Sequence, residues 1–421
     1  MLATIKHSEL RGCLKLPASK SITQRACILA LLNKGITVIA NYGNSNDEIS
    51  IINAIIKLGA ECDFEGKNLI INSSGNYNFS GIVNAGESGL GFRMLVPAMS
   101  LSNNKVQIIA EGSLQKRTMN FFEILKNLGV KLKSNDFYAP VTVNGPLIPK
   151  NIKIDASTGS QFLTGILFAF ASAAKENIII EVENLVSKPY VDISLNMLKL
   201  FSCNVHHTDY SKFFISPKSK DESIVNIKVE SDWSNAAFFL VAGAICGSIE
   251  IEDLKINSLQ GDKNILDVLK SANAGVEIKA NSIRTFKSGK LSSFIYDATD
   301  TPDLFPPLAA LAAFCNGTSV IKGVHRLVGK ESNRAESLVD VFSKMGVKIR
   351  VEDNQMFIIG ASQIKDSTVI SHNDHRIVMA ASIVASASNS IIKIENAESV
   401  NKSYPLFFEH LQSIGGNILL T

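Results

Sequence analysis

Apolar and polar positions along this chain repeat with a long period. Six segments of about a dozen residues are apolar on every side, at 22–32, 90–101, 162–174, 236–246, 304–314 and 377–387. Their length and lack of alternation predict short helices, and a helix apolar all round has to be buried all round. A second helix in each repeat ends at a glycine and leads into a short β-rich run. The junctions are Leu58-Gly59-Ala60, Leu128-Gly129-Val130, Ala274-Gly275-Val276, Met345-Gly346-Val347 and Ile414-Gly415-Gly416. Phe201-Ser202-Cys203-Asn204-Val205 fills the remaining slot without a glycine. Glycine there predicts a left-handed helix cap followed by a strand. Runs such as 106–110, 177–182, 248–251 and 390–394 supply strands. The period is roughly 70 residues, far too long for a solenoid. The pattern predicts an α/β chain of six related units, with helices inside and sheets or amphipathic helices around them.

A polar cluster stands at the start of each buried helix. In order these are Ser19-Lys20-Ser21, Glu87-Ser88-Gly89, Thr158-Gly159-Ser160-Gln161, Asp232-Trp233-Ser234-Asn235, Asp300-Thr301-Pro302-Asp303 and Asn373-Asp374-His375-Arg376. Helix capping accounts for some of them, with Asp232 and Ser234 the best-placed caps. Lys20, Gln161 and Arg376 are poor capping residues. A helix N-terminus carries free N–H groups and about half a positive charge, so adding Lys or Arg makes an anion site. Buried helices running parallel within a domain would share one N-terminal end. Three units end near Val229-Glu230, and the first strand is assigned to the second half. The expected domains are 1–17 plus 231–421, and 18–230, with the active site in the cleft between them.

Composition narrows the function. The 421 residues are 46% hydrophobic, enough for two large domains or several small ones. A net charge of +3 and the absence of a dense Lys/Arg run argue against a nucleic-acid partner. Aromatics are 7%, mostly Phe, and none interleave with a basic strip. The longest apolar runs fall short of the ~20 residues of a membrane span, and no signal pattern is present. Six scattered cysteines without a CxxC pair fit a reducing compartment and no zinc site. His372 and His375 could share a helical face, but Asp374 and Arg376 crowd them, which disfavours a metal. The expectation is a cytoplasmic monomer with no metal, no cofactor, and no nucleic-acid or membrane partner.

Seven motifs in order carry a family resemblance. They are Leu16-Pro17-Ala18-Ser19-Lys20-Ser21 with Arg25, Ser160-Gln161-Phe162-Leu163-Thr164, Leu185-Val186-Ser187-Lys188-Pro189-Tyr190-Val191-Asp192, Pro302-Asp303, Lys330-Glu331-Ser332-Asn333-Arg334, Asn373-Asp374-His375-Arg376 and Lys402-Ser403-Tyr404-Pro405. Through them the chain resembles the 5-enolpyruvylshikimate-3-phosphate synthases, the 3-phosphoshikimate 1-carboxyvinyltransferases, over essentially its whole length. The resemblance implies a two-domain inside-out α/β barrel of six βαβαββ-type units around buried helices. It implies transfer of the enolpyruvyl group of phosphoenolpyruvate to the 5-hydroxyl of shikimate 3-phosphate, releasing phosphate, with no cofactor. It also implies that Lys20, Gly89, Arg117, Arg334, Arg376 and Lys402 hold phosphoenolpyruvate. Ser21, Arg25, Ser160, Gln161, Ser187, Asp303 and Lys330 would hold shikimate 3-phosphate.

The chemistry asks for such a set. Two unit charges about 5 Å apart repel by roughly 3 kcal/mol at an effective dielectric near 20, so joining two polyanions needs a cationic site. Arginine suits carboxylate and phosphate through bidentate contacts. Addition followed by elimination needs a base for the 5-hydroxyl and proton traffic at the C3 methylene. Asp303 is the candidate base, Glu331 the candidate for the methylene, and Lys20 a proton donor that steadies the phosphate. His375 is read as a supporting residue.

Several positions depart from the family pattern. Glu87-Ser88-Gly89-Leu90 stands where Asn-Ala-Gly-Thr is usual, and a carboxylate near a bound phosphate is unfavourable unless it points away or pairs with a cation. Met94 replaces a common Pro, Gly159 replaces a Ser, and Arg326 stands in place of an Asn as a possible further anion contact. One rival is the UDP-N-acetylglucosamine enolpyruvyl transferase, which uses a reactive Cys in the loop corresponding to 111–120; that loop has none here. A non-catalytic phosphate- or RNA-binding protein of related fold is the other, disfavoured by the weak net charge and the Asp303/Glu331 pair.

Overall fold

The computed structural model describes residues 1–119, 121–219, 224–360 and 363–421. Asn120, at the end of the loop compared above, lies outside the described residues. The chain divides into two compact units, one of Met1–Pro17 and Glu230–Thr421, the other of Ala18–Val229. Each has its own apolar core.

Among the described residues, each unit holds three four-stranded sheets. Where a sheet is continuous in sequence, a strand leads through a buried helix to a second strand parallel to it, then an outer helix leads to antiparallel strands that complete the sheet. Gly81–Asn84 thus pairs in parallel with Lys105–Ile109 across helix Gly89–Met99. Tyr138–Asn144 then pairs antiparallel with both Lys105–Ile109 and Lys131–Asn135. This is the βαβαββ unit expected from the sequence. Parallel strands need such a crossover, and a helix with no polar face is the one that fits beneath the sheet. Val106 and Ile108 turn inward while Lys105 stays exposed, as a half-buried sheet requires.

Three sheets complete themselves with strands distant in sequence. Ile224–Lys228 pairs in parallel with Lys34–Ala40, closing Ala18–Val229 on itself. Leu2–Lys6 lies between Ile392–Glu395 and Asn417–Leu420, so the first strand completes the last sheet of its unit. Leu10–Lys15 joins the same unit by pairing in parallel with Gly247–Glu252.

The six buried helices run over Lys20–Leu32, Gly89–Met99, Gln161–Ala173, Trp233–Cys246, Phe305–Ala312 and His375–Ala387. All 14 residues of Trp233–Cys246 are buried. Among the described residues, no helix is long and apolar enough to cross a membrane. The glycine caps form at Gly59, Gly129, Gly346 and Gly415, with φ of +99°, +89°, +87° and +101°. At Gly59 the Gly59 and Ala60 N–H groups reach back to the Ile56 and Ile55 carbonyls, so orphan acceptors at the helix end are satisfied. The expected cap at Gly275 does not form. Asn273 takes the left-handed conformation there, at φ +61°, and Ser202 does so in the glycine-less slot. Gly275 instead faces Phe286 across the sheet, where a Cβ would lie 2.4 Å from the ring.

One close approach positions functional residues. A Cβ at Gly165 would stand 2.4 Å from the Arg93 carbonyl oxygen and 3.0 Å from the Met94 Cα. Helices Gly89–Met99 and Gln161–Ala173 therefore meet backbone to side, which brings Arg93 beside Gln161. Gly165→Ala is expected to destabilise the fold by about 1–3 kcal/mol through overpacking. Urea denaturation checks this, and an unchanged midpoint would show that the two helices part without cost.

Candidate active site

In each unit the buried helices start at one place. In Ala18–Val229, the Ser88 hydroxyl donates to the Gln24 Oε1 at 3.0 Å, and Arg93 Nη1 donates to Gln161 Oε1 at 3.0 Å. These contacts join the first turns of all three helices. In the other unit, Arg376 Nη2 donates to Ser234 Oγ at 3.0 Å and to Asp303 Oδ2 at 3.1 Å, again joining three helix starts. Three positive helix ends therefore converge in each unit.

The capping reading holds for some clusters only. Asp232, Ser88 and Asp374 accept backbone N–H groups of their own helices. Ser234 is not a cap, contrary to expectation; its hydroxyl donates to Asp232 at 2.6 Å and receives Arg376. Ser19 and Ser160 make no side-chain cap bond. Gly159 has φ +145°, a conformation that disfavours the serine replaced there.

Within Ala18–Val229, Lys20 is the first residue of its helix and its Nζ lies 2.7 Å from Asp47 Oδ2. Asp47 was not singled out from the sequence, where it reads as one acid in the first turn of an outer helix. Its neighbour Glu48 is buried behind Ser45. Burial pushes the Glu48 carboxyl up to about 7, against its bonds from Ser45 and Thr23 and the attraction of Lys20. Arg25 is buried and ends on neutral oxygens: Ser194 Oγ at 2.9 Å, the Ser21 carbonyl at 2.9 Å and the Tyr190 carbonyl at 3.2 Å. Burial lowers its proton affinity to about 10, with Tyr190 pulling slightly the other way. A buried guanidinium bonded to neutral groups keeps its charge at a desolvation cost. Ser187 begins helix Lys188–Leu200 in a left-handed conformation, φ +61°.

Gly89 lies against two guanidinium groups that a side chain there would have to displace. A Cβ there would lie 2.9 Å from Arg93 Nη1 and 3.0 Å from Arg117 Nη1. Gly89, Arg93, Arg117 and Gln161 thus form one group, with Ser160 buried next to Gln161. The Glu87 carboxylate accepts the Ser113 N–H at 2.8 Å, so it is engaged by the loop that carries Arg117.

The other unit is organised around Arg334, which is 1% exposed. Its Nη1 reaches Asp303 at 2.8 Å, its Nε reaches Asp374 at 2.9 Å, and its Nη2 pairs with Glu331. Lys330 Nζ lies 3.7 Å from Asp303. Burial alone would raise the Asp303 pKa, but Arg376, Lys330 and Arg334 together hold the carboxyl far below the usual range. Burial pushes Lys330 down to about 8; Asp303 opposes this, and Arg334 and Arg326 add to it. Arg326 is buried with its Nε on the Thr299 carbonyl at 3.2 Å. Lys402 Nζ donates to the Asn373 carbonyl at 2.7 Å. His375 is buried, its Nδ1 3.9 Å from Asp374. Asp374 belongs to a recognised motif, yet its bond to Arg334, 40 positions away, was not readable from the sequence.

The EPSP synthase family model, 3-phosphoshikimate 1-carboxyvinyltransferase, matches residues 5–411. The chain belongs to the EPSP synthase family. It is 33% identical over 418 residues to the 3-phosphoshikimate 1-carboxyvinyltransferase of Clostridium perfringens, covering 98% of each chain. With that of Clostridium kluyveri it shares 34% over 417 residues, covering 99% of this chain and 97% of the relative. In fold it is similar to the EPSP synthase of Acinetobacter baumannii, with TM-score 0.82, 23% identity and full coverage of both chains. It is also similar in fold to the enolpyruvyl transferase NikO of Streptomyces tendae, with TM-score 0.80, 15% identity, and coverage of 99% and 98%. As an EPSP synthase family member the chain is an enzyme, a transferase of the shikimate pathway of aromatic amino-acid biosynthesis. The alternative readings as a UDP-N-acetylglucosamine enzyme or a non-catalytic binder are not favoured.

Removing one carboxylate from the Arg334 cluster leaves a buried charge short of a partner. Asp374→Ala is expected to cost about 3–5 kcal/mol of folding stability. Chemical denaturation at neutral pH measures this; a loss within experimental error would mean that water replaces the carboxylate.

Proposed function

We propose that this EPSP synthase uses Asp303 as the base for the 5-hydroxyl of shikimate 3-phosphate and Glu331 for proton traffic at C3 of phosphoenolpyruvate. Lys20, Gly89, Arg117, Arg334, Arg376 and Lys402 hold phosphoenolpyruvate. Ser21, Arg25, Ser160, Gln161, Ser187 and Lys330 hold shikimate 3-phosphate, with Asp303 at its reacting hydroxyl. The observation that carries this reading is that Asp303 and Glu331 share Arg334, with Arg376 and Lys330 also close to Asp303.

In the free protein Asp303 is a weak base, because Arg334 and Arg376 each hold one of its oxygens. Phosphoenolpyruvate brings a carboxylate and a phosphate that compete for those same guanidinium groups. As they take over, the Asp303 carboxylate gains proton affinity and can accept the hydroxyl proton. The freed oxygen attacks C2, and the C2–C3 electron pair takes a proton at C3. Loss of a C3 proton then expels phosphate, with the C2–O electron pair leaving on it. Lys20 stabilises the charge on that departing oxygen.

Phosphate release from phosphoenolpyruvate, with and without shikimate 3-phosphate, tests the reading. Turnover is expected only with both present; release from phosphoenolpyruvate alone, or none with both, would sink it. Asp303→Ala and Glu331→Ala are each expected to cut turnover by about a hundredfold or more with folding intact. Near-normal turnover in either purified variant removes that residue from the mechanism. Lys330 loses its charge as pH rises through about 8. Its pull on the substrate phosphate is complete below that pH and fades above it. KM for shikimate 3-phosphate should therefore rise on the alkaline side, and Lys330→Arg should flatten that rise, since arginine stays charged. A steady-state pH profile decides; identical profiles would rule Lys330 out as the phosphate contact.

A further inference from the structure

Glu87 is the departure that the reaction does not absorb, because a carboxylate is unwelcome beside a phosphate. We infer that Glu87 is a positioning residue: it fixes the turn from which Arg117 reaches phosphoenolpyruvate. The inference rests on the proposed assignment of Arg117 to that substrate.

Glu87 stands just before Ser88, the cap of helix Gly89–Met99. One of its oxygens accepts the N–H of Ser113, the second residue of the short turn Gly112–Lys116, at 2.8 Å. Gly112 has φ +48°, which L side chains rarely adopt. A Cβ at Gly112 would also lie 2.4 Å from the Glu87 carboxyl carbon. The carboxylate therefore fills the space a side chain at 112 would need, and the two residues fit as a pair. A second set of bonds holds the same loop. The Glu111 N–H donates to the Gly86 carbonyl at 2.8 Å, and Asn84 Nδ2 donates to Glu111 at 2.6 Å.

Ser113 links Glu87 to the Arg117 side chain. Ser113 gives its N–H to Glu87 and receives Arg117 Nη2 on its hydroxyl at 2.8 Å. The Arg117 N–H closes the turn on the Leu114 carbonyl at 3.2 Å. A turn of this kind is marginal by itself, and the N–H groups at its start have no partner within it. An ionised acceptor supplies that partner with a strong bond. It thereby fixes where the Arg117 guanidinium stands, over Gly89.

Positioning and simple repulsion predict opposite signs. If Glu87 only repelled the bound phosphate, removing it would lower KM for phosphoenolpyruvate. If it holds the turn, Glu87→Ala raises that KM by about tenfold, a modest share of what a misplaced binding group can cost. KM for shikimate 3-phosphate and kcat should then stay within about threefold. Glu87→Gln keeps an acceptor and should remain within about threefold of the parent. Ser113→Ala removes only the hydroxyl link and should raise KM for phosphoenolpyruvate in the same direction. In an Arg117→Ala background, Glu87→Ala should add less than about twofold, because the two act as one unit. A lowered or unchanged KM in Glu87→Ala overturns the inference, as does an equal loss in Glu87→Gln, an unchanged KM in Ser113→Ala, or an undiminished effect without Arg117. An Arg117→Ala protein with normal KM for phosphoenolpyruvate would overturn the assignment of Arg117 itself, a separate result read from a different variant. Circular dichroism of each variant shows that it is folded when measured.

Discussion

A helix buried on every side can present chemistry only at its ends. This constraint organises both units of the protein. Three such helices start together in each, so three sets of unpaired N–H groups and three helix-end charges meet at one place. The sides of these helices consist of small and apolar residues because they must pack against sheets and one another. Their first turns carry the polar residues, and of these Ser88, Asp232 and Asp374 accept exposed backbone donors there. Gly165 belongs to the same constraint: the absence of its side chain lets two helix starts come together.

The two convergence points are furnished differently. Around Arg334, three carboxylates share one buried guanidinium, and Arg376 and Lys330 share Asp303. Such a cluster is internally neutralised, and an incoming anion has to compete for its cations. In Ala18–Val229, Arg25 is held by a hydroxyl and two carbonyls, so an anion would complete its shell rather than displace a partner.

The lesser features follow the same logic of paired fit. Gly89 leaves room for two guanidinium groups, and Gly112 leaves room for the Glu87 carboxylate. A sequence read one position at a time cannot show such pairs, because each partner owes its identity to the other. Glu87 illustrates the point. In the chain it is a charge out of place, and in the fold it is the acceptor for a turn 26 positions away.

The six-unit period, the buried helices and the polar clusters at their starts were legible because they rest on local rules of hydrophobic pattern and helix ends. The glycine caps were legible where glycine itself turned left-handed. The assignment failed at Gly275, where Asn273 serves and the glycine answers to Phe286 across the sheet. Lys20, Arg25, Asp303, Arg334 and Arg376 could be named from motifs, but their partners could not. Asp47, Asp374 and Ser194 come to Lys20, Arg334 and Arg25 across 27 to 169 positions, through packing of helices and loops that no local pattern encodes. The sequence by itself determined the repeat, the elements and the residue types gathered at the helix starts, since each depends on neighbours a few residues away. Only the tertiary structure decided which charges neutralise one another and which are held by neutral groups, since a Coulomb energy depends on distance in space and on burial.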